Sequence, residues 1–235
     1  MNAVTVVLVL LPALASADIA ARQQTVASTR GILSSTAITV PRGHVEATLQ
    51  LPLSLPGVIL GVNVGVTRTT ELWIDGGTSL FDGDADPERT FGIGVKQVIV
   101  RGAKAAVALT GALRRVSTRI LESKGYQSLG GVGTLCVDDR CIVELSAAYQ
   151  YLFNYRQGSP DGNYSYGAHL VSLGASVGSP AVRGLIEVIS IKEDRAVALG
   201  ARWAAGGFAL DAAVVLTVDG GRSAPLPWVA VTGRM

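Results

Sequence analysis

Two histidines, His44 and His169, and two cysteines, Cys136 and Cys141, are the residues of this 235-residue sequence best suited to chemistry. A hydrolase would need a hydroxyl or thiol facing one of the histidines. Ser172 follows His169 by three positions, which in a strand puts the two on opposite faces. His44 shares a strand face with Glu46 but has no neighbouring serine or cysteine. No enzyme activity and no cofactor are expected from this set.

Other sequence patterns also read as structure. Asp82, Asp84 and Asp86 alternate as at the start of a calcium loop, but positions six and twelve of that loop would be Pro87 and Ile93, where glycine and glutamate belong. The run reads as a solvated acidic loop, and no metal is expected. Gly130 to Gly133 lacks the third glycine and following helix of a dinucleotide site. Cys136 and Cys141 flank a tight turn at Asp138-Asp139. In an exported chain they would face each other across a hairpin as a disulfide, the alternative being two unpaired thiols. Neither histidine lies near them in sequence, which argues against a metal site.

The elements that position these residues follow from composition and period. Charged residues make up 16% of the chain and mean hydropathy is +0.39, against roughly 25% charged in an ordinary soluble domain. Net charge is +2 with scattered basic residues, so a nucleic-acid partner is not expected. Residues 1–17 pair an apolar run with a small-residue end at Ala15-Ser16-Ala17, the layout of a cleaved signal peptide. The alternative is an uncleaved anchor, although the run is short of the ~20 residues a helical span needs. Residues 18–42 are expected to form a periplasmic segment and 43–235 the main domain.

From about Gly43 onward, runs of roughly ten residues alternate apolar and polar side chains between turns. Val45, Ala47, Leu49 and Leu51 oppose His44, Glu46, Thr48 and Gln50; Val58 to Val66 oppose Ile59 to Thr67; Leu72 and Ile74 oppose Glu71, Trp73 and Asp75. Continued to Met235, the pattern predicts about twelve strands, with ten or fourteen as alternatives. Tight connections at 68–70, 101–103, 138–139, 179–180 and 206–207 alternate with longer polar ones, except at Pro52 to Gly57 and Lys192 to Arg195. Two rims of different character are what an up-and-down antiparallel transmembrane β-barrel requires.

Counting charge by face sharpens this reading. The apolar face carries no charge on the assigned registers. The other carries Glu46, Glu71, Asp75, Lys96, Lys104, Arg114, Glu144, Glu187, Arg202, Asp211 and Arg234, with Asn63. These are the candidate lumen-lining residues, six acidic against five basic. An Arg or Lys at the bilayer midplane costs about 2–4 kcal/mol, so lipid would enforce the asymmetry. The charged face is also rich in glycine and alanine, which make room across a confined lumen. For Arg183 to Ile191, Leu185, Ile189 and Ile191 share the parity of Glu187, and a one-residue shift would exchange the faces.

At "GVTRTTELWIDGG" and the closing "PLPWVAVTGRM" the chain resembles bacterial outer-membrane β-barrel proteins, over most of the sequence after the leader. The resemblance implies a Gram-negative outer membrane, lipid around the barrel, and insertion by the barrel assembly machinery. That machinery commonly reads a C-terminal aromatic residue, where this chain has Met235. Three functional readings follow. The first is a narrow or partly plugged pore for passive passage of small solutes. The second is a non-conducting structural or surface-interaction barrel, and the third a soluble secreted β-sandwich.

Overall fold

The computed structural model describes residues 35–52, 57–79, 88–117, 124–155, 166–192, 194–219 and 222–235. Twelve strands run in sequence: β1 (Val45–Pro52), β2 (Gly57–Gly65), β3 (Thr70–Ser79), β4 (Glu88–Arg101), β5 (Ala105–Ser117), β6 (Lys124–Cys136), β7 (Val143–Tyr155), β8 (Tyr166–Gly178), β9 (Val182–Ile191), β10 (Asp194–Ala205), β11 (Phe208–Asp219) and β12 (Arg222–Arg234). Each pairs antiparallel with its neighbours in sequence, and β1 pairs with β12, so the sheet closes with no crossover. This is an all-β up-and-down barrel rather than a sandwich, and closure removes every sheet edge.

Alternation along each strand explains why the chain takes this form. Leu60, Leu113, Leu129, Leu173 and Leu199 stand on the outer face and are 50–59% exposed. Their strand neighbours on the inner face are, Ile59 apart, small, polar or charged. An outer belt of this kind is costly in water and favourable in hydrocarbon. Outward charges do occur, at Arg89, Arg115 and Arg195, but each lies within three residues of a strand end on the long-connection rim. The middle of the belt carries none among the described residues.

Two departures from simple alternation have clear causes. Strict period two across β4 would turn Arg101 outward with Phe91 and Val95. A bulge between Val98 and Val100 shifts the register, pairing Val100 with Val107 and Arg101 with Ala106, and so returns Arg101 to the inner side. The second departure is β12, which begins at Arg222 rather than near Trp228 and takes in Pro225 and Pro227. Strand β1 ends at Pro52 opposite Trp228, so residues 222–227 pair only with β11. Prolines are tolerated there because one side of the strand needs no donor.

The connection between β6 and β7 is tied twice. Cys136 and Cys141 form a disulfide. Asp138 accepts hydrogen bonds from the backbone N–H groups of Val143 at 2.9 Å, Ile142 at 3.0 Å and Arg140 at 2.9 Å. Those donors hold the Asp138 carboxyl below its ordinary pKa of 3.8. A carboxylate with a depressed folded pKa stabilises the fold fully above its unfolded value, and that contribution is lost as pH falls through the folded value. We expect Asp138→Asn to lower the unfolding midpoint at pH 7 and to make little difference once the pH is well below 3.8. Thermal midpoints of both proteins at the two pH values check this.

Candidate lumen site and internal plug

The inner wall is cross-linked by charge. Arg234 on β12 meets Glu46 on β1 at 2.9 Å across the seam that closes the barrel, and Thr48 and Thr232 lie 3.1 Å apart beside it. Arg202 grips Asp211 with two bonds, of 2.6 and 2.7 Å, between β10 and β11. Glu187 and Glu46 are close enough to act electrostatically on Arg202. Lys96 pairs with Glu71 at 3.1 Å, and Arg114 pairs with Asp75 at 2.5 Å, reaching from β5 over β4 to β3.

Placement of the sequence-predicted residues is therefore specific. Glu46, Asn63, Glu71, Lys96, Glu144, Glu187, Arg202 and Asp211 are buried. Asp75 and Arg114 are partly exposed to an interior cavity, and Arg234 is joined to Glu46. In β9, Arg183, Leu185 and Glu187 are buried while Val182, Ile186 and Val188 are exposed. Lys104 stands apart: it sits in the turn between β4 and β5 and reaches Asp139 at 2.5 Å, at the tight-turn rim. Cys136, Cys141 and Glu144 lie together, but both sulfurs are spent in the disulfide and offer no thiolate. The acidic run 82–86 lies outside the described residues.

Residues 35–40, ahead of β1, occupy the lumen. The sequence reading assigns them to the segment ahead of the barrel; they run inside it, and Ala37, Ile38, Thr39 and Val40 are 0–3% exposed. Their backbone groups are bound by wall side chains. Val40 N–H donates to Glu71 Oε2 at 2.8 Å and Ala37 N–H to Thr134 Oγ1 at 2.8 Å. Lys96 Nζ donates to the carbonyl of Ile38 at 2.7 Å and of Thr36 at 3.3 Å. Arg101, turned inward by the bulge, donates to Thr39 Oγ1 at 3.4 Å. Ala37 and Ile38 pack against Val98, Ala106, Ala108 and Val132.

The plug's exit depends on a glycine. Where residues 40 and 41 leave for the rim, a Cβ on Gly65 would lie 2.1 Å from the Pro41 carbonyl oxygen and 2.5 Å from that of Val40. Only a residue without a side chain allows the segment to pass so close to β2. From there Gly43 N–H bonds to the Gly65 carbonyl, and Val45 and Met235 exchange two backbone bonds.

Beyond the plug, toward the long-connection rim, lies a cavity of about 400 Å³ with Ser35, Glu71 and Lys96 among its lining residues. One wall presents Trp73, Asp75, Arg114 and Tyr126. The Arg114 guanidinium lies 5.1 Å from the centre of the Trp73 ring. That ring lies across β4, where a Cβ on Gly94 would come within 2.4 Å of two indole atoms and 2.6 Å of the Gly111 carbonyl oxygen. Gly94→Ala is expected to cost about 1–3 kcal/mol of stability by overpacking and to displace the indole. A lowered unfolding midpoint together with a shifted tryptophan emission maximum would show it.

The parity rule marks the charged wall residues in advance, but not Arg101, which needs the bulge, nor the plug. Arg183, which donates to the carbonyls of Cys141 at 2.8 Å and Ile142 at 3.0 Å, shares the parity of Glu187 and was within reach of the same rule.

No protein-family model and no curated protein matches the chain by sequence. Solved structures do match in shape. The chain is similar to the KdgM porin (TM-score 0.59, 8% identity, 81% of this chain and 98% of that one). It is also similar to the NanC porin (TM-score 0.57, 10% identity, 80% and 97%). A third similar structure is the translocator domain of the autotransporter NalP from Neisseria meningitidis (TM-score 0.53, 14% identity, 82% and 88%). At these identities the likeness is one of fold, a β-barrel.

Proposed function

We propose that the protein is an integral outer-membrane barrel that offers small solutes a narrow path, closed in the resting state by its own residues 35–40. The observation that carries this reading is the lumen itself: an apolar outer belt surrounds a cavity with polar and charged groups on one wall, and the cavity ends on a segment of the same chain. A barrel with a purely structural role would have no need of such a space. The KdgM and NanC porins, which share the fold, lend support.

Glu46, Glu71, Asp75 and Asp211 are each paired with a wall cation, so these charges set the width of the path more than its ion preference. Twelve strands enclose less space than the 16–18 of water-filled porins, which suits small solutes. The outer-membrane setting, export through a leader at residues 1–17, and insertion by the barrel assembly machinery belong to the same proposal. The tight-turn rim, which holds the plug's exit and Met235, would face the periplasm.

The plug also favours a second reading, in which the barrel conducts nothing and presents its long-connection rim to a partner. Two measurements separate the readings. Detergent-extracted protein is expected in the outer-membrane fraction, with a gel mobility that changes on boiling. Recovery in the soluble fraction with no such shift would contradict the membrane barrel. Liposomes carrying the protein lacking residues 35–40 are then expected to swell in small uncharged sugars faster than liposomes carrying the intact chain. Equal, negligible swelling from both would favour the non-conducting reading.

A further inference from the structure

The cavity has two unlike walls, and the contrast points to what it holds. Across from Arg114 and Trp73, the strands β7, β8 and β9 present Leu152, Leu170, Ile189 and Ile191 to the same space. Aliphatic side chains facing the lumen gain nothing from the bilayer, and they forgo the hydration that polar groups would have there. They form one continuous patch on adjacent strands. A cavity of this size falls within the range that binds small molecules, typically mostly apolar with a few placed polar groups.

The charge of the site narrows the class. Lys96 and Glu71 at the floor are sealed, their side chains 2% and 3% exposed. Among the described cations lining the cavity, Arg114 alone keeps an accessible guanidinium, with its side chain 36% exposed. One of its nitrogens is bound to Asp75, whose carboxylate balances its charge, and the guanidinium also bonds the Tyr126 side chain. A second carboxylate would therefore leave a net negative charge in a confined space, whereas a neutral oxygen accepting from the remaining N–H groups would not.

We propose that this cavity is a binding site for small uncharged amphipathic molecules with a hydroxyl or carbonyl head and a compact aliphatic body. The head accepts from Arg114 beside Trp73, and the body lies on Leu170, Ile189 and Ile191. The proposal deepens the small-solute reading and rests on it for the solute's route, but the site itself can be tested without conductance.

Trp73 supplies the readout. In a Trp203→Phe, Trp228→Phe background, first shown to keep its heat-dependent gel mobility, its emission is titrated with cyclohexanol, hexanoate and erythritol. The expected result is a saturable change with cyclohexanol, weaker binding of hexanoate, and none of erythritol. Ile189→Ser and Arg114→Met, each also shown to be folded, are expected to weaken cyclohexanol binding by about tenfold, from lost aliphatic contact and lost hydrogen bonding respectively. Comparison between variants in the same detergent cancels partition into the micelle. Three results would overturn the site: a linear, non-saturating response; saturation indifferent to both substitutions; or tighter binding of hexanoate than of cyclohexanol. Conductance without saturable binding would remove this site and leave the pore, and saturable binding in a barrel that never conducts would do the reverse.

Discussion

Replacing Arg202 with alanine is expected to destabilise the barrel by about 3–5 kcal/mol, because it leaves the Asp211 carboxylate charged and unmatched at a wall position only 4% exposed. The pair is bidentate, a geometry that makes each partner strongly dependent on the other. The loss is expected to be far smaller when both charges are removed together, as in Arg202→Met with Asp211→Leu, since no isolated charge then remains. The temperature at which unboiled protein loses its folded gel mobility reads both results. A single substitution as mild as the double one would mean that lumen water solvates these groups, and that the wall is wetter than its burial indicates.

The second large effect is on closure rather than stability. Gly65→Ala is expected to drive residues 35–40 from the lumen, since its Cβ would overlap two plug carbonyl oxygens. Those atoms belong to backbone and cannot move aside alone. Swelling of liposomes in small sugars is expected to quicken severalfold while the boiled-to-unboiled mobility shift persists, because the strand ladders are untouched. In parallel, a protease added to the folded variant is expected to cut within the released segment and to spare it in the parent. If Gly65→Ala instead leaves permeation and cleavage unchanged, the segment is not held where its contacts with Glu71, Lys96 and Thr134 place it.

Much of this architecture is written in the alternation of side chains. A barrel has one face in lipid and one in its lumen, so period two survives along most of each strand and registers come out almost directly. Glu187 shows the rule at its most useful: Leu185 and Ile189 share its parity, and the structure turns all three inward, Ile189 joining the apolar wall of the cavity. Small residues on the inner face were also readable, and Gly94 beneath Trp73 gives one of them a specific purpose.

What alternation misses has physical reasons. The bulge near Ile99 is a backbone event with no proline or glycine to announce it, and it decides the side on which Arg101 lies. Pro225 and Pro227 read as loop until the stagger of β1 against β12 shows that they stand where one side is unpaired. The plug carries no strand period. Its residues are small and mixed, and its place depends on wall groups far along the chain: Thr134 is 97 positions from Ala37. A short segment that borrows its hydrogen bonds from such distant side chains leaves little local trace.

The central claim is a path through the barrel closed by residues 35–40, and single-channel recording in planar bilayers tests it most directly. The intact chain and the chain lacking residues 35–40, both shown to be folded by heat-dependent mobility, are compared at the same voltage and salt. The account expects small or rare openings from the intact protein and a steady conductance severalfold larger after the deletion. Identical conductance in both, or none in either, would contradict it.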